Sequence, residues 1–159
     1  MIVKIKKLYE DAVIPTYGSE EAACADLYAY LLDNNKYEVQ YDEEDKAYVD
    51  IHPNDRVKIG TGVAMELPDC YCALIYARSG LATNQGLAMT NGTGVIDNDF
   101  RNEFIVPIIN NSEYTQRIYH GERIAQVMFV PYIQANFIPT DCLSETKRGL
   151  GGFGSTGTM

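Results

Sequence analysis

With 159 residues and a formal charge of −9, from 22 acidic against 13 basic side chains, the chain is one domain's worth of sequence and has the wrong sign for a nucleic-acid surface. No run approaches the ~20 consecutive apolar residues of a membrane-spanning helix. Lysines break up the apolar residues of "MIVKIKKLYEDAV", so this stretch reads as a first strand rather than a secretory signal, and the protein reads as cytoplasmic.

Helical periodicity is nearly absent. Short alternating or doubly apolar runs separated by turn residues predict an all-β sandwich or barrel. In chain order, residues 33–50 ("DNNKYEVQYDEEDKAYVD") are acidic and polar, and read as a solvated hairpin or loop insertion that could also meet a protein partner. "RVKIG" alternates, while "YCALIYA" and "EFIVPIIN" are apolar on both faces and predict core strands. Pro107 removes a ladder donor from the latter, which predicts a bulge or an edge position. "QRIYHGERIAQVMFVPY" reads as strand, turn at "HGE", strand. The four cysteines (Cys24, Cys70, Cys72, Cys142) show no CxxC or Cys/His ligand spacing, and Cys70 and Cys72 read as small fillers on one side of a strand.

Candidate chemistry is spread along the chain. "YARSGLA" sets Arg78 and Ser79 at a strand end before Gly80. It thus combines a guanidinium fork, a hydroxyl and a backbone that a ligand can approach closely. "GVIDNDFRNEF" holds Asp97 and Asp99. An EF-hand loop counted from Asp97 would need Gly and an acidic residue where Asn102 and Ile108 stand, so a calcium loop of that type is excluded there. An Asx turn or a general base for water are the surviving readings. "GERIAQVMF" carries Arg123 and Gln126 on an apolar strand, where a polar group needs a partner. The terminal "GLGGFG" formally matches a dinucleotide fingerprint, but only five residues follow Gly154 and no helix can receive a pyrophosphate.

Taken in order, "ACADLYA", "ARSGLA", "NGTGVIDNDF", "ERIAQ" and "RGLGGFGSTG" closely resemble the five motifs of the homotrimeric dUTPase family, spanning roughly residues 22–157. The resemblance implies a distorted jelly-roll β-barrel over residues 1–141, with the acidic insertion at about 33–50. It also implies a flexible glycine-rich arm over 142–159 that closes over the active site. It implies hydrolysis of dUTP to dUMP and pyrophosphate, with Mg²⁺ carried mainly by the phosphates and three sites shared between subunits.

Carried over residue by residue, the resemblance makes Asp97 the base that activates water. Asn91 reads uracil with the hairpin backbone of Gly94, Val95 and Ile96. Phe100 takes the place of the usual tyrosine beneath deoxyribose. Arg78, Ser79, Gly80 and Gln126 lie near the phosphates. Asp26 acts through metal-bound water or by holding an arginine such as Arg78, and Gln126 also reaches the metal only through water. In the arm, Arg148 clamps the γ-phosphate, Phe153 covers uracil, and Gly154, Ser155 and Thr156 supply phosphate donors. Cys24, Ala77 and Asn102 depart from the usual Gly, Pro and Gly, which bears on local backbone rather than chemistry. The related dCTP deaminase reading requires a glutamate where Pro107 stands, and proline cannot do acid–base work. A regulatory binding protein gated by dUTP is the non-enzymatic rival.

Overall fold

The computed structural model describes residues 1–33, 38–152 and 155. The strands are β1 (Lys4–Lys7), β2 (Thr16–Tyr17), β3 (Ala25–Tyr28), β4 (Gln40–Tyr41), β5 (Ala47–Ile51), β6 (Arg56–Glu66) and β7 (Tyr71–Ala77). A six-residue helix α1 (Ser79–Asn84) follows, then β8 (Leu87–Met89), β9 (Thr93–Ile96), β10 (Glu103–Asn110), β11 (Gln116–Tyr119) and β12 (Arg123–Pro131). They form antiparallel sheets in the orders β1-β6-β10-β8, β11-β5-β4 and β2-β3-β12-β7-β9. This is the expected all-β jelly roll. No helix among the described residues is long and apolar enough to cross a membrane.

The core lies between the sheets. Alternation along β3, β7 and β12 sends Leu27, Ile75 and Val127 inward to meet Ile59, Val63, Phe104 and Val106 of β6 and β10. Phe104 is fully buried, and truncating such a side chain to Ala typically costs about 3–5 kcal/mol. Asn110 is the polar exception. Its amide nitrogen donates to Ile51 O and Tyr114 O, and its oxygen accepts from the backbone N–H and hydroxyl of Ser112. A buried amide with all these partners ties down the loop after β10 without a desolvation penalty. Near the middle of β6, Gly62 adopts φ +69°. A Cβ there would lie 2.7 Å from that of Ala12, so the kink also lets the N-terminal segment dock closely.

Three local expectations change. Pro107 is neither at an edge nor in a bulge: it pairs with Lys58 inside β10, and the register shift falls between Glu103 and Ile105. Its carbonyl accepts from Thr90 N just beyond the β8 pairing. The missing N–H therefore faces the end of a short neighbour, and the ladder to β6 loses nothing. The expected strand, turn at "HGE" and strand are present, but the two strands do not form a hairpin. β11 pairs with β5 while β12 pairs with β3 and β7, so the chain switches sheets there. The acidic segment is only partly solvated, since Ala47, Tyr48, Val49 and Ile51 of β5 are buried. Finally, Cys70 is exposed in a turn at φ +64°, and only Cys72 fills the interior.

Candidate active site

Three neighbouring strands bring one polar cluster together. Asp26 on β3 stands beside Gln126 on β12, which in turn pairs with Tyr76 on β7. The Asp26 carboxylate, 14% exposed, accepts from Arg78 Nε at 3.0 Å through Oδ1 and from Arg123 Nη1 at 3.2 Å through Oδ2. Arg78 Nη1 also donates to the backbone carbonyl of Arg123 at 3.2 Å. Gln126 Nε2 donates to Ala77 O at 3.1 Å, so its amide oxygen points away from that backbone. One carboxylate between two guanidinium groups leaves the cluster net positive on a strongly acidic protein. Ser79 and Gly80 open α1 directly after Arg78 and are exposed.

The second group of expected residues lies on β9 and the loops at its ends. Asn91 sits in the turn before β9, where Thr93 N donates to its carbonyl. Gly94 is buried against Ile75 and Met89, which a Cβ would approach to 3.3 Å each, so a side chain there would need its neighbours to give by a few tenths of an ångström. Val95 is exposed, Ile96 half-buried, and Asp97 follows at the strand end. Phe100 N donates to Asp97 O and closes the turn that presents the carboxylate. The Phe100 ring leans on Phe104, with centroids 6.3 Å apart, and keeps an exposed face.

Several residues around Asp97 were not singled out from the sequence. Arg101 donates to the carbonyls of Asn98 and Phe100, and Asn98 is held by Asp69 and the Tyr132 hydroxyl. An open cleft of about 480 Å³ is lined by Cys72, Val95, Asp97, Asn98, Asp99, Tyr132 and Gln134. Burial, followed by negative neighbours that include Asp97 and Asp99, holds the Tyr132 phenol above its ordinary value.

Within one chain Gly94 pairs with Ile75 and Asn91 lies toward the Arg78 end of β7, but Asp97 and Arg78 stay apart. Ala73 pairs with Ile96, so Asp97 lies level with Cys72 while Arg78 leaves the far end of β7. Six residues of extended chain separate those levels by about 20 Å. In the arm, Arg148 and Ser155 are exposed, and Ser155 N donates to Gly152 O. Phe153, Gly154 and Thr156 lie outside the described residues.

The family model for dUTPase matches residues 34–157. The chain belongs to the dUTPase family. It is 43% identical to the deoxyuridine 5'-triphosphate nucleotidohydrolase of Nautilia profundicola over 99% of each chain. Against that of Desulfitobacterium hafniense it is also 43% identical, over 98% of this chain and 95% of the relative. Among solved structures, the fold is similar to the dUTPase of Staphylococcus bacteriophage 80alpha bound to dUpNHpp, with TM-score 0.82 and 24% identity over 98% of both chains. It is also similar to a mutant dUTPase from phage phi11 of S. aureus described with a structural Mg(II) ion, with TM-score 0.74 and 19% identity over 91% of this chain and all of that one.

Proposed function

We propose that this member of the dUTPase family hydrolyses dUTP to dUMP and pyrophosphate, with Asp97 as the general base. The Asp97 carboxylate takes a proton from a water whose oxygen bonds to the α-phosphorus. The bond from that phosphorus to the bridging oxygen breaks, and the pyrophosphate leaves with the electron pair. General-base assistance of this kind contributes about 10²–10⁴-fold. The remaining acceleration comes from fixed donors around the phosphates, supplied by Arg78, Ser79 and the Gly80 backbone. Asn91 and the backbone of Gly94, Val95 and Ile96 read the base, and Phe100 packs beneath the sugar. Arg148, Phe153, Gly154, Ser155 and Thr156 close over the nucleotide as the 142–159 arm folds down, excluding water from the charged centre.

The observation that supports this reading best is the outward-facing Arg78–Asp26–Arg123 cluster in a chain of this family. The distance between that cluster and Asp97 supports the homotrimer, because a base from one subunit must meet phosphate donors from another. Among the described residues no group of three or more His, Cys, Asp or Glu side chains could hold a metal ion. Asp26 and Gln126 would reach a metal carried by the substrate only through water. Mg²⁺ bound in this way would offset charge on the phosphate oxygens. A cytoplasmic site of action, where nucleotides are turned over, fits the same reading. A protein partner for the 33–50 segment is best sought at residues 38–46, since β5 is part of the sheet.

The experiment is pyrophosphate release from dUTP, dCTP, dTTP and UTP with Mg²⁺, using intact protein and protein truncated before Arg148. Release from dUTP alone, lost on truncation, is the expected result. Ammonia from dCTP would move the assignment to deamination. No reaction with any nucleotide would leave the dUTP-gated binding protein.

A further inference from the structure

We propose that Arg123 is a positioning residue that presets Arg78 for the substrate's terminal phosphates. The inference rests on the dUTPase reading above. In β12, Ala125 and Val127 are fully buried, so regular alternation would place Ile124 outward and Arg123 inward. The opposite is observed: Ile124 is buried and the Arg123 side chain is 51% exposed. The cause is a shift in the pairing with β3, where Arg123 stands opposite Tyr28 and Ala125 opposite Leu27, so that Ile124 is the extra residue of a bulge. Bulges re-aim side chains in this way, often beside functional sites.

Here the bulge keeps Ile124 in the core and swings Arg123 onto the face that carries Asp26 and Gln126. Two contacts result. The Arg123 guanidinium engages Asp26 Oδ2, and the Arg123 carbonyl receives Arg78 Nη1. With Arg78 Nε already on Asp26 Oδ1, a closed ring fixes the Arg78 plane at two of its nitrogens. Neither anchor uses Nη2. Arg123 also offsets the Asp26 charge, so that Arg78 keeps its attraction for an anion instead of being neutralised by its own support. A guanidinium oriented before binding loses less freedom when the triphosphate arrives.

The test uses the full-length protein and compares dUpNHpp, which carries three phosphorus centres, with dUMP, which carries one. Arg123→Ala should keep the wild-type far-UV spectrum and weaken dUpNHpp binding roughly 10- to 100-fold, as expected for a misplaced contact group. Its affinity for dUMP should be unchanged. Arg123→Lys can still place one donor on Asp26 Oδ2 and should restore most of the loss. Equal loss for both nucleotides, failure of Lys to rescue, or no loss at all would overturn the inference. Wild-type protein that binds dUpNHpp but leaves dUTP intact would instead overturn the hydrolase reading and leave the role of Arg123 standing.

Discussion

Asp97 and Arg78 occupy opposite ends of the β7–β9 pair, one level with Cys72 and the other just past Ala77. Under the proposed mechanism, a site that needs both would draw them from different subunits. Asp97→Asn and Arg78→Gln should each be inactive as pure proteins. Mixed in equal amounts and reassembled, they should recover about one quarter of wild-type turnover, since each site then draws at random on two subunits. Pyrophosphate release from the mixture is the measurement. No recovery would place the two residues in one subunit's site or leave one of them unused.

Asp97→Asn alone should lower kcat by about 10²–10⁴-fold. Titration with dUpNHpp should find affinity close to wild type, because the amide preserves shape and removes only proton acceptance. Unchanged turnover would remove Asp97 as the base.

Phe100 offers a ring but no hydroxyl. Phe100→Ala should erode the preference for dUTP over UTP, read as the ratio of kcat/KM values, because nothing would then crowd a 2′-hydroxyl. Phe100→Tyr should keep the ratio at least at its wild-type value. A ratio untouched by Phe100→Ala would assign sugar discrimination elsewhere.

His120, in the turn before β12, couples pH to stability. Its Nδ1 accepts from Leu31 N at 3.2 Å, its ring meets Tyr30 edge-on, and Nε2 is 4.0 Å from Asp11. Burial, partly countered by Asp11, holds the imidazole below its ordinary value of 6.5. The unfolded chain therefore takes the proton first as pH falls. The contribution is full above about pH 6.5 and is lost as pH drops through that value toward the folded one. Urea midpoints should fall between pH 7 and 5.5, and His120→Asn should flatten that dependence.

Gly60 and Glu103 share one space. A Cβ on Gly60 would lie 2.3 Å from Glu103 Oε1, the oxygen that accepts from Gly62 N at 2.8 Å. Glu103 is buried, so Gly60→Ala should destabilise by about 1–3 kcal/mol in chemical denaturation.

What could be read from the sequence depended on how local the signal was. The "HGE" turn was legible because Gly121 sits at φ +76° in a tight reversal. That the chain changes sheets there was not, because the partner of β11 is β5, hidden in a segment whose charge suggested solvent. Asp26 as a holder of Arg78 followed from motif order, and the structure contains that bond. Arg123 went unassigned since strand parity points it into the core, and only the extra residue at Ile124 reverses that. An Asx turn was one reading at Asp97; the turn instead closes through the Asp97 backbone carbonyl, and its support by Arg101, Asn98 and Tyr132 joins residues with no common pattern.

Beyond β12 the chain runs without a strand from Tyr132 to Gly152, and Ile133, Phe137, Ile138, Leu143 and Leu150 are almost wholly exposed along it. So much apolar surface is tolerated in water only when something covers it. If the cover is another subunit, dilution is a more searching stress than heat. Below a threshold concentration the protein should lose activity while its secondary structure persists, and concentrating the sample should restore it.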